Sequence, residues 1–258
     1  MKERITELVG APAARGVWMG TFHSIFARVL RSEASRLGYP QNFTIYDTDD
    51  SKSLIRTITR EKGLDKQTYP PGLVLSRISS AKTSLISPQE YNTDPELVTQ
   101  DQLSGKPKLG ELYTAYVSRC KRAGAMDFDD LLYNTYVLLD TFPEVLYRFQ
   151  QQFRYILVDE YQDTNRVQYL IIRKLAANNE NLCVVGDDAQ SIYAFRGANI
   201  ENILNFRKDY PDQVTFKLEQ NYRSTRNIVD AANGVIAKNK DQIHKTIWTA
   251  NDTGSLIR

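Results

Sequence analysis

The chain has 258 residues, of which 41% are hydrophobic and 25% charged, a balance typical of a globular protein with one large domain or two smaller ones. Its formal net charge is only +2, so overall charge alone gives no reason to expect a nucleic acid or an acidic membrane as partner. No apolar run approaches the roughly 18 residues of a membrane-spanning helix, and the first residues lack the apolar centre of a signal peptide, so we predict a cytoplasmic protein with no membrane partner.

The N-terminal stretch predicts a mixture of short elements. Residues 1–36 are typical of the end of a helix, a loop, a short strand at GVWMGTF and a helix that begins near His23. In that helix Ile25, Val29 and either Phe26 or Leu30 share one apolar stripe, so we expect this side to be buried.

From about residue 35 to residue 120 the chain changes to polar helices separated by clusters of turn-forming residues. The stretches YDTDDSKSLIRTITREKGL and PPGLVLSRISSAKTSLISP indicate helices, whereas YNTDPELVTQDQLSGKPKLG is loop-like. We therefore predict an inserted helical unit.

The next helix carries its own start signal. In MDFDDLLYNTYVLLDTFP, Asp127 is a plausible N-cap and Asp130 follows three residues later, which resembles a capping box with Asp in place of the usual Glu. Pro143 follows the end of the apolar pattern. The sequence thus predicts a helix between Asp127 and Pro143.

Three successive segments then share the order strand, polar loop, helix. They are YILV with DEYQD, LCVV with GDDAQSIYAFRGAN, and VTFKL with EQNYRST. This alternation predicts a parallel sheet with right-handed crossovers, in which ligands bind beyond the carboxyl ends of the strands. We therefore expect the DEYQD carboxylates to share a cleft with Asp187, Gln190 and Arg223.

The two cysteines are too few for a disulfide framework or a zinc site. Cys183 lies inside an apolar strand-like run, and Cys120 lies near the end of the helical stretch. We expect both to be reduced, buried thiols.

Asp159 and Glu160 directly follow a strand, which suits a magnesium–nucleotide site. Mg²⁺ keeps most of its waters and takes one or two protein carboxylates together with phosphate oxygens. A neighbouring Glu could hold or activate the attacking water. The alternative is a solvated turn in which Asp163 caps the next helix, and for two adjacent acids alone this is the commoner case.

Two interpretations are open for each of the other polar-loop residues. Gln190 could orient water or sense a terminal phosphate. Arg223 could stabilise charge on a transferring phosphoryl group, or pair with Glu219 or Asp230 at the surface. Tyr222 could stack on a base or pack in the core.

A similar choice applies to the residues that could contact nucleic acid. Tyr193, Phe195 and Arg196 could form a stacking platform for single-stranded bases, or the two rings could attach their loop to the core. Thr21 and His23, at a strand-to-helix junction, could donate hydrogen bonds to a phosphate or act as helix caps.

Five segments, in this order and at spacings of tens of residues, together resemble the UvrD/PcrA/Rep family of superfamily 1 DNA helicases. They are GTFHS, DFDDLL, ILVDEYQDTNRVQ, VVGDDAQSIYAFRGAN and LEQNYRST. The resemblance covers most of the chain and implies an α/β fold, a RecA-like P-loop NTPase parallel sheet that is incomplete here, with an inserted helical subdomain. It implies a first motor domain at 1–34 and 121–210, the helical accessory subdomain at 35–120, and the start of a second motor domain at 211–258.

The resemblance also implies roles for individual residues. Asp159 would bind magnesium, and Glu160 would position the water that hydrolyses ATP. Gln190 would couple the terminal phosphate to DNA, Arg223 would be the arginine finger, and Tyr222 would lie against the nucleotide. The residues along the single-stranded DNA track would be Thr21, His23, Tyr193, Phe195 and Arg196.

Family members use ATP and Mg²⁺, move 3′ to 5′ on single-stranded DNA and open duplex junctions, with repair or replication proteins as candidate partners. The sequence departs from the family because it contains no G-x-x-x-x-G-K-[ST], its one Gly-Lys pair being Gly105-Lys106. Ala189 also stands where many members have an acid, and Phe195 where a Trp is frequent. We therefore expect an inactive central piece of a longer, active helicase.

Two other interpretations stay open. A non-catalytic DNA-binding or interaction module would explain the missing P-loop, but it would not need Glu160, Gln190 and Arg223. A metal nuclease cluster would use Asp159, Glu160 and Asp163, but the remaining acids have no matching partner loop.

Overall fold

The computed structural model describes residues 2–193, 197–239 and 242–257. The chain forms two compact units, and the polypeptide passes from one to the other three times. Unit 1 comprises Met1–Tyr155 and Arg166–Asn181, and unit 2 comprises Ile156–Asn165 and Leu182–Arg258.

Unit 1 is mainly helical. Its elements in chain order are α1 (Lys2–Val9), α2 (Ala11–Gly16), α3 (Phe22–Glu33), β1 (Thr44–Tyr46), α4 (Thr48–Glu61), α5 (Pro71–Thr83), α6 (Pro88–Thr93), α7 (Pro95–Leu103), α8 (Leu109–Arg122), β2 (Ala125–Asp127), α9 (Phe128–Thr141), α10 (Pro143–Gln152) and α11 (Arg166–Ala176). The strands β1 and β2 pair in parallel and flank helices α4 to α8 in the sequence. This small sheet was not predicted.

The helix predicted near His23 is confirmed as α3. Its buried side carries Phe26 and Val29, with Leu30 completely buried. The strand predicted at GVWMGTF is wrong, because residues 17–21 belong to no helix or strand. Val17 is 48% exposed, and without a partner strand in the described part of the chain the alternating pattern cannot form a ladder.

Helices α4 to α8 share one hydrophobic core. It consists of Ile55, Ile58, Tyr69, Val74, Ile78, Ala81, Tyr91, Leu109, Leu112, Tyr113, Tyr116 and Cys120. The loop predicted at YNTDPELVTQDQLSGKPKLG is wrong, since this stretch contains the end of α6, all of α7 and the start of α8. Asp94 caps α7 by accepting hydrogen bonds from the backbone N–H groups of Glu96 and Leu97, and Pro95 occupies the first turn, where proline suits a helix.

The capping box predicted at α9 is confirmed. Asp127 Oδ1 accepts a hydrogen bond from Asp130 N at 2.8 Å, and Asp130 Oδ2 accepts one from Asp127 N at 3.1 Å. Lys82 on α5 is buried against the same carboxylates, with its Nζ 2.7 Å from Asp127 Oδ2 and 2.8 Å from Asp130 Oδ1. Tyr116 on α8 donates to Asp127 Oδ2 at 2.8 Å, so a buried ionic cluster joins α5 and α8 to the start of α9.

Unit 2 has fewer regular elements. They are β3 (Ile156–Val158), β4 (Leu182–Val184), α12 (Glu201–Leu204), α13 (Phe206–Asp209) and α14 (Arg226–Ile236), with 3-10 turns at Tyr161–Asp163 and Asp188–Gln190. The strands β3 and β4 pair in parallel, with Leu157 opposite Cys183. The first two strand–loop–helix segments therefore form the parallel pair that the sequence predicted.

The third predicted strand, VTFKL, is wrong. Residues 214–218 form no strand, and Val214, Phe216 and Leu218 are 73%, 82% and 82% exposed. An alternating apolar pattern needs a covered sheet face to form a half-buried strand, and the described part of the chain does not supply one here. The prediction for Cys183 is also wrong, because the side of β3–β4 that carries Cys183 and Leu157 is exposed; Cys120 is buried as expected.

Among the described residues, no helix combines the length and the apolar character that crossing a membrane requires.

Candidate functional site

The strand β3 ends in two exposed carboxylates, Asp159 and Glu160. Asp159 Oδ1 accepts a hydrogen bond from Glu160 N at 3.0 Å. The backbone of Glu160 is left-handed, with φ 51°, a conformation that residues other than glycine seldom adopt. A residue in such a strained conformation costs about 1–3 kcal/mol, and residues of this kind cluster at functional sites. This turn is therefore the first candidate for a functional site.

A buried amide, Gln162, joins this turn to the loop after β4. Gln162 is 1% exposed, and its Nε2 donates to Glu160 Oε2 at 2.8 Å. Its Oε1 accepts a hydrogen bond from Asp187 N at 3.1 Å. A Cβ at Gly186 would lie 2.6 Å from the same Oε1, so a larger residue there would displace the Gln162 amide.

The contacts continue to Gln190. Asp187 Oδ2 accepts a hydrogen bond from Gln190 Nε2 at 2.8 Å, and Asp187 Oδ1 accepts one from Ala189 N at 3.0 Å. We call the continuous set Glu160, Gln162, Asp187 and Gln190 the acid–amide chain. It brings together the first two polar loops, as the sequence predicted. The sequence did not single out Gln162, because nothing in its local pattern distinguishes a buried amide from a solvated one.

Asp163 ends the 3-10 turn three residues before α11 begins at Arg166. Its Oδ1 is buried without a hydrogen-bond partner among the described residues. Burial and the nearby Glu160 carboxylate raise its pKa. The charged form of the Asp163 carboxyl is therefore disfavoured at this position beside the acid–amide chain.

The third polar loop carries Arg223 and Tyr222. Asn221 Oδ1 shapes it by accepting hydrogen bonds from Arg223 N at 2.9 Å and from Ser224 N at 2.7 Å. The Arg223 side chain is exposed, and within the described part of the chain it forms no ion pair with Glu219 or Asp230 and no hydrogen bond with the acid–amide chain. Its place in the predicted cleft stays a prediction.

Tyr222 is 79% exposed, and its hydroxyl donates to Gln220 Oε1 at 2.8 Å. The interpretation of Tyr222 as a core residue is therefore wrong, because a packed ring would lose most of its contact with solvent. An exposed ring at this position is compatible with stacking on a base.

Two of the residues assigned to the DNA track lie in unit 1. Thr21 is the N-cap of α3, and its Oγ1 accepts a hydrogen bond from Ser24 N at 3.3 Å. The His23 ring meets the Phe128 ring edge-on, with centroids 5.6 Å apart. Burial lowers the pKa of His23 and outweighs the opposite effect of Asp129, so the neutral ring is favoured.

Tyr193 lies in unit 2 and is 39% exposed. Phe195 and Arg196 lie outside the described residues. The stacking platform that these three residues would form stays a prediction.

Asp159 fits the role of a magnesium ligand. It offers an exposed carboxylate whose position is fixed by a backbone N–H, and hydrated Mg²⁺ commonly takes a single protein carboxylate with phosphate oxygens. Over the described ranges, no group of three or more His, Cys, Asp or Glu side chains is arranged to hold a metal ion.

The comparisons with known proteins agree with the motifs. Residues 1–211 match the UvrD/REP helicase N-terminal domain, and residues 216–258 match the UvrD-like helicase C-terminal domain. The whole chain is 46% identical to ATP-dependent DNA helicase PcrA of Leuconostoc citreum and of Bacillus subtilis, and 45% identical to ATP-dependent DNA helicase UvrD1 of Mycobacterium tuberculosis. It spans 34% of the length of each of these relatives. Because the N-terminal domain match alone covers most of the sequence, the chain belongs to the UvrD/REP helicase family.

Proposed function

We propose that the chain is the central part of an ATP-dependent 3′–5′ DNA helicase that couples Mg-ATP hydrolysis to translocation on single-stranded DNA and to duplex unwinding, in DNA repair or replication. The acid–amide chain carries this proposal, because it links a carboxylate at the end of β3 to an amide in the loop after β4. The relatives at 45–46% identity are named ATP-dependent DNA helicases. We propose that the fold is RecA-like, with residues 35–120 as the inserted helical subdomain.

In this proposal Asp159 holds Mg²⁺ and Glu160 positions the attacking water. Bound Mg²⁺ would neutralise charge on the phosphate oxygens. Gln162 holds Glu160 Oε2, which leaves Oε1 to accept a proton from water. The left-handed backbone at Glu160 is the strained feature that such a task would explain.

Gln190, Arg223 and Tyr222 would complete the nucleotide site. Gln190 Nε2 would keep one N–H on Asp187 and donate the other to the terminal phosphate, and so report hydrolysis to the DNA contacts. Arg223, exposed and in the stretch that matches the C-terminal domain, would stabilise charge on the transferring phosphoryl group. Tyr222 would lie against the nucleotide.

We propose that single-stranded DNA contacts the five residues assigned to the DNA track. They are Thr21, His23, Tyr193, Phe195 and Arg196. A neutral His23 can donate one hydrogen bond and accept another, and exposed aromatic rings stack on bases without sequence preference. The 258 residues alone are proposed to be inactive, since their sequence contains no phosphate-binding G-x-x-x-x-G-K-[ST].

The test uses the full-length protein that contains this chain. ATP hydrolysis is measured with and without single-stranded DNA, and unwinding is measured on duplexes that carry either a 3′ or a 5′ single-stranded tail. We expect DNA-stimulated hydrolysis and unwinding of the 3′-tailed duplex. DNA binding without ATP hydrolysis would instead support a non-catalytic module, and unwinding from the 5′ tail alone would contradict the proposed direction.

A further inference from the structure

A lysine far along the chain reaches the loop after β4. Lys245 Nζ is ion-paired with Asp187 Oδ1 and lies 3.2 Å from Asp188 Oδ1. The Lys245 side chain is only 18% exposed and that of Asp188 only 4%. The backbone N–H of Ile243 also donates to Asp188 Oδ2 at 2.8 Å. The segment around Lys245 therefore engages both adjacent carboxylates.

Lys245 extends the acid–amide chain. Asp187 binds Lys245 through Oδ1 and Gln190 through Oδ2, while its backbone N–H donates to Gln162, which holds Glu160. A hydrogen-bonded path thus runs from Glu160 to Lys245. Lys245 lies in the stretch that matches the C-terminal domain, and the other members of the path lie in the stretch that matches the N-terminal domain.

The electrostatics favour a fully charged pair. Burial alone would raise the pKa of Asp187, but hydrogen bonds from Lys245 and Gln190 outweigh it and leave that pKa below its ordinary value. Burial alone would lower the pKa of Lys245, but Asp187 and Asp188 outweigh it and raise that pKa. Without the ammonium group, two neighbouring carboxylates would repel each other and compete for the remaining donors.

We propose that Lys245 is a positioning residue for ATP hydrolysis, acting through Asp187 on Gln190 and through Gln162 on Glu160. This inference rests on the proposed function. By fixing Asp187 Oδ1, Lys245 sets where Oδ2 holds the Gln190 amide. Movement of the Lys245 segment therefore changes the position of the groups that face the terminal phosphate.

The first test uses the full-length protein that contains this chain and needs no activity. Hydrogen exchange of the Ala189 and Gln190 amides is compared between the wild type, Lys245→Ala, Lys245→Arg and the control Lys217→Ala, whose side chain is exposed. We expect about tenfold faster exchange of these amides in Lys245→Ala, because one charge-assisted hydrogen bond is lost, with partial recovery in Lys245→Arg. Unchanged exchange in Lys245→Ala overturns the proposal.

The second test uses ATP hydrolysis by the full-length protein. We expect Lys245→Ala to lower kcat about tenfold with little change in KM for ATP, because only groups that face the reacting phosphate are displaced. Lys245→Arg keeps most of the turnover and Lys217→Ala keeps all of it. A normal kcat in Lys245→Ala, or a change in KM alone, overturns the positioning role. If the wild type does not hydrolyse ATP, the proposed function fails, whereas the exchange experiment still decides whether Lys245 fixes the loop.

Discussion

The two units bury different kinds of side chain. In unit 1, a continuous apolar core joins helices α4 to α8. In unit 2, the buried polar side chains among the described residues outnumber the buried apolar ones. The polar residues are Gln162, Thr164, Asp188, Asn202 and Thr249, and the apolar ones are Val158, Tyr161, Ile203 and Val229. Unit 1 thus owes its stability mainly to apolar burial, whereas hydrogen bonds in unit 2 hold loops that carry charged groups.

Each unit nevertheless contains a lysine paired with two carboxylates. Lys82 in unit 1 is 1% exposed and is surrounded by the helical core, whereas Lys245 in unit 2 is 18% exposed and contacts a loop. The same ionic chemistry therefore serves packing in one unit and, in our proposal, the positioning of reactive groups in the other. The predictions below test this contrast.

The largest effect is expected from Lys82→Ala. It leaves the Asp127 and Asp130 carboxylates buried without a countercharge, which lowers the free energy of unfolding by about 3–5 kcal/mol. Unfolding in urea is followed by fluorescence of Trp18, which lies in unit 1, after Trp248 is replaced by Phe.

Lys62→Ala is the matched control for Lys82→Ala. Lys62 pairs with Glu111 at 2.6 Å, but both side chains are partly exposed, so the loss should be about 0–1 kcal/mol. Equal effects of the two substitutions would contradict the role given to the buried cluster.

The dependence of stability on pH should have opposite signs in the two units. Burial raises the pKa of Asp130 to about 6 and outweighs the attraction of Lys82. The folded protein therefore holds the Asp130 proton more tightly than the unfolded chain does. The stability that this proton contributes is complete below the ordinary pKa of 3.8 and is lost as the pH rises through about 6. The pKa of Asp187 is lowered, so its contribution is present above 3.8 and is lost as the pH falls through the folded-state pKa.

The two tryptophans allow the two contributions to be measured separately. On acidification from about pH 7 to about pH 5 the wild type should gain stability in unit 1, as reported by Trp18, and Asp130→Asn should not show this gain. Below about pH 4 the wild type should lose stability in unit 2, as reported by Trp248, and Asp187→Asn should not show this loss. If the stability of Asp130→Asn depends on pH between about pH 7 and about pH 5 as that of the wild type does, the raised pKa of Asp130 is wrong.

The sequence predicted the elements whose signals are local. The capping residues Asp127 and Asp130 gave the start of α9, and the apolar runs gave β3 and β4. The sequence failed where an apparent signal depends on distant partners. VTFKL has the alternation of a strand, but its apolar side chains are exposed, so the local pattern was not sufficient.

The candidate site was predictable to the same extent. The sequence predicted that the loops of Glu160 and Gln190 meet, because polar residues that follow parallel strands meet at one edge of a sheet. The roles of Asp159, Glu160 and Gln190 stay predictions. Gln162 and Lys245 were missed, since a buried amide has no sequence signature and Lys245 lies 58 residues from Asp187 along the chain. Contacts at such a separation are set by the fold and cannot be inferred from spacing.

The central claim is that Glu160 positions water for ATP hydrolysis, and Glu160→Gln in the full-length protein tests it most directly. Glu180→Gln is the matched control, because Glu180 is also exposed and also has a positive φ, of 50°. We expect Glu160→Gln to bind ATP as the wild type does and to lose DNA-stimulated hydrolysis, while Glu180→Gln retains both. Normal turnover in Glu160→Gln would contradict the account.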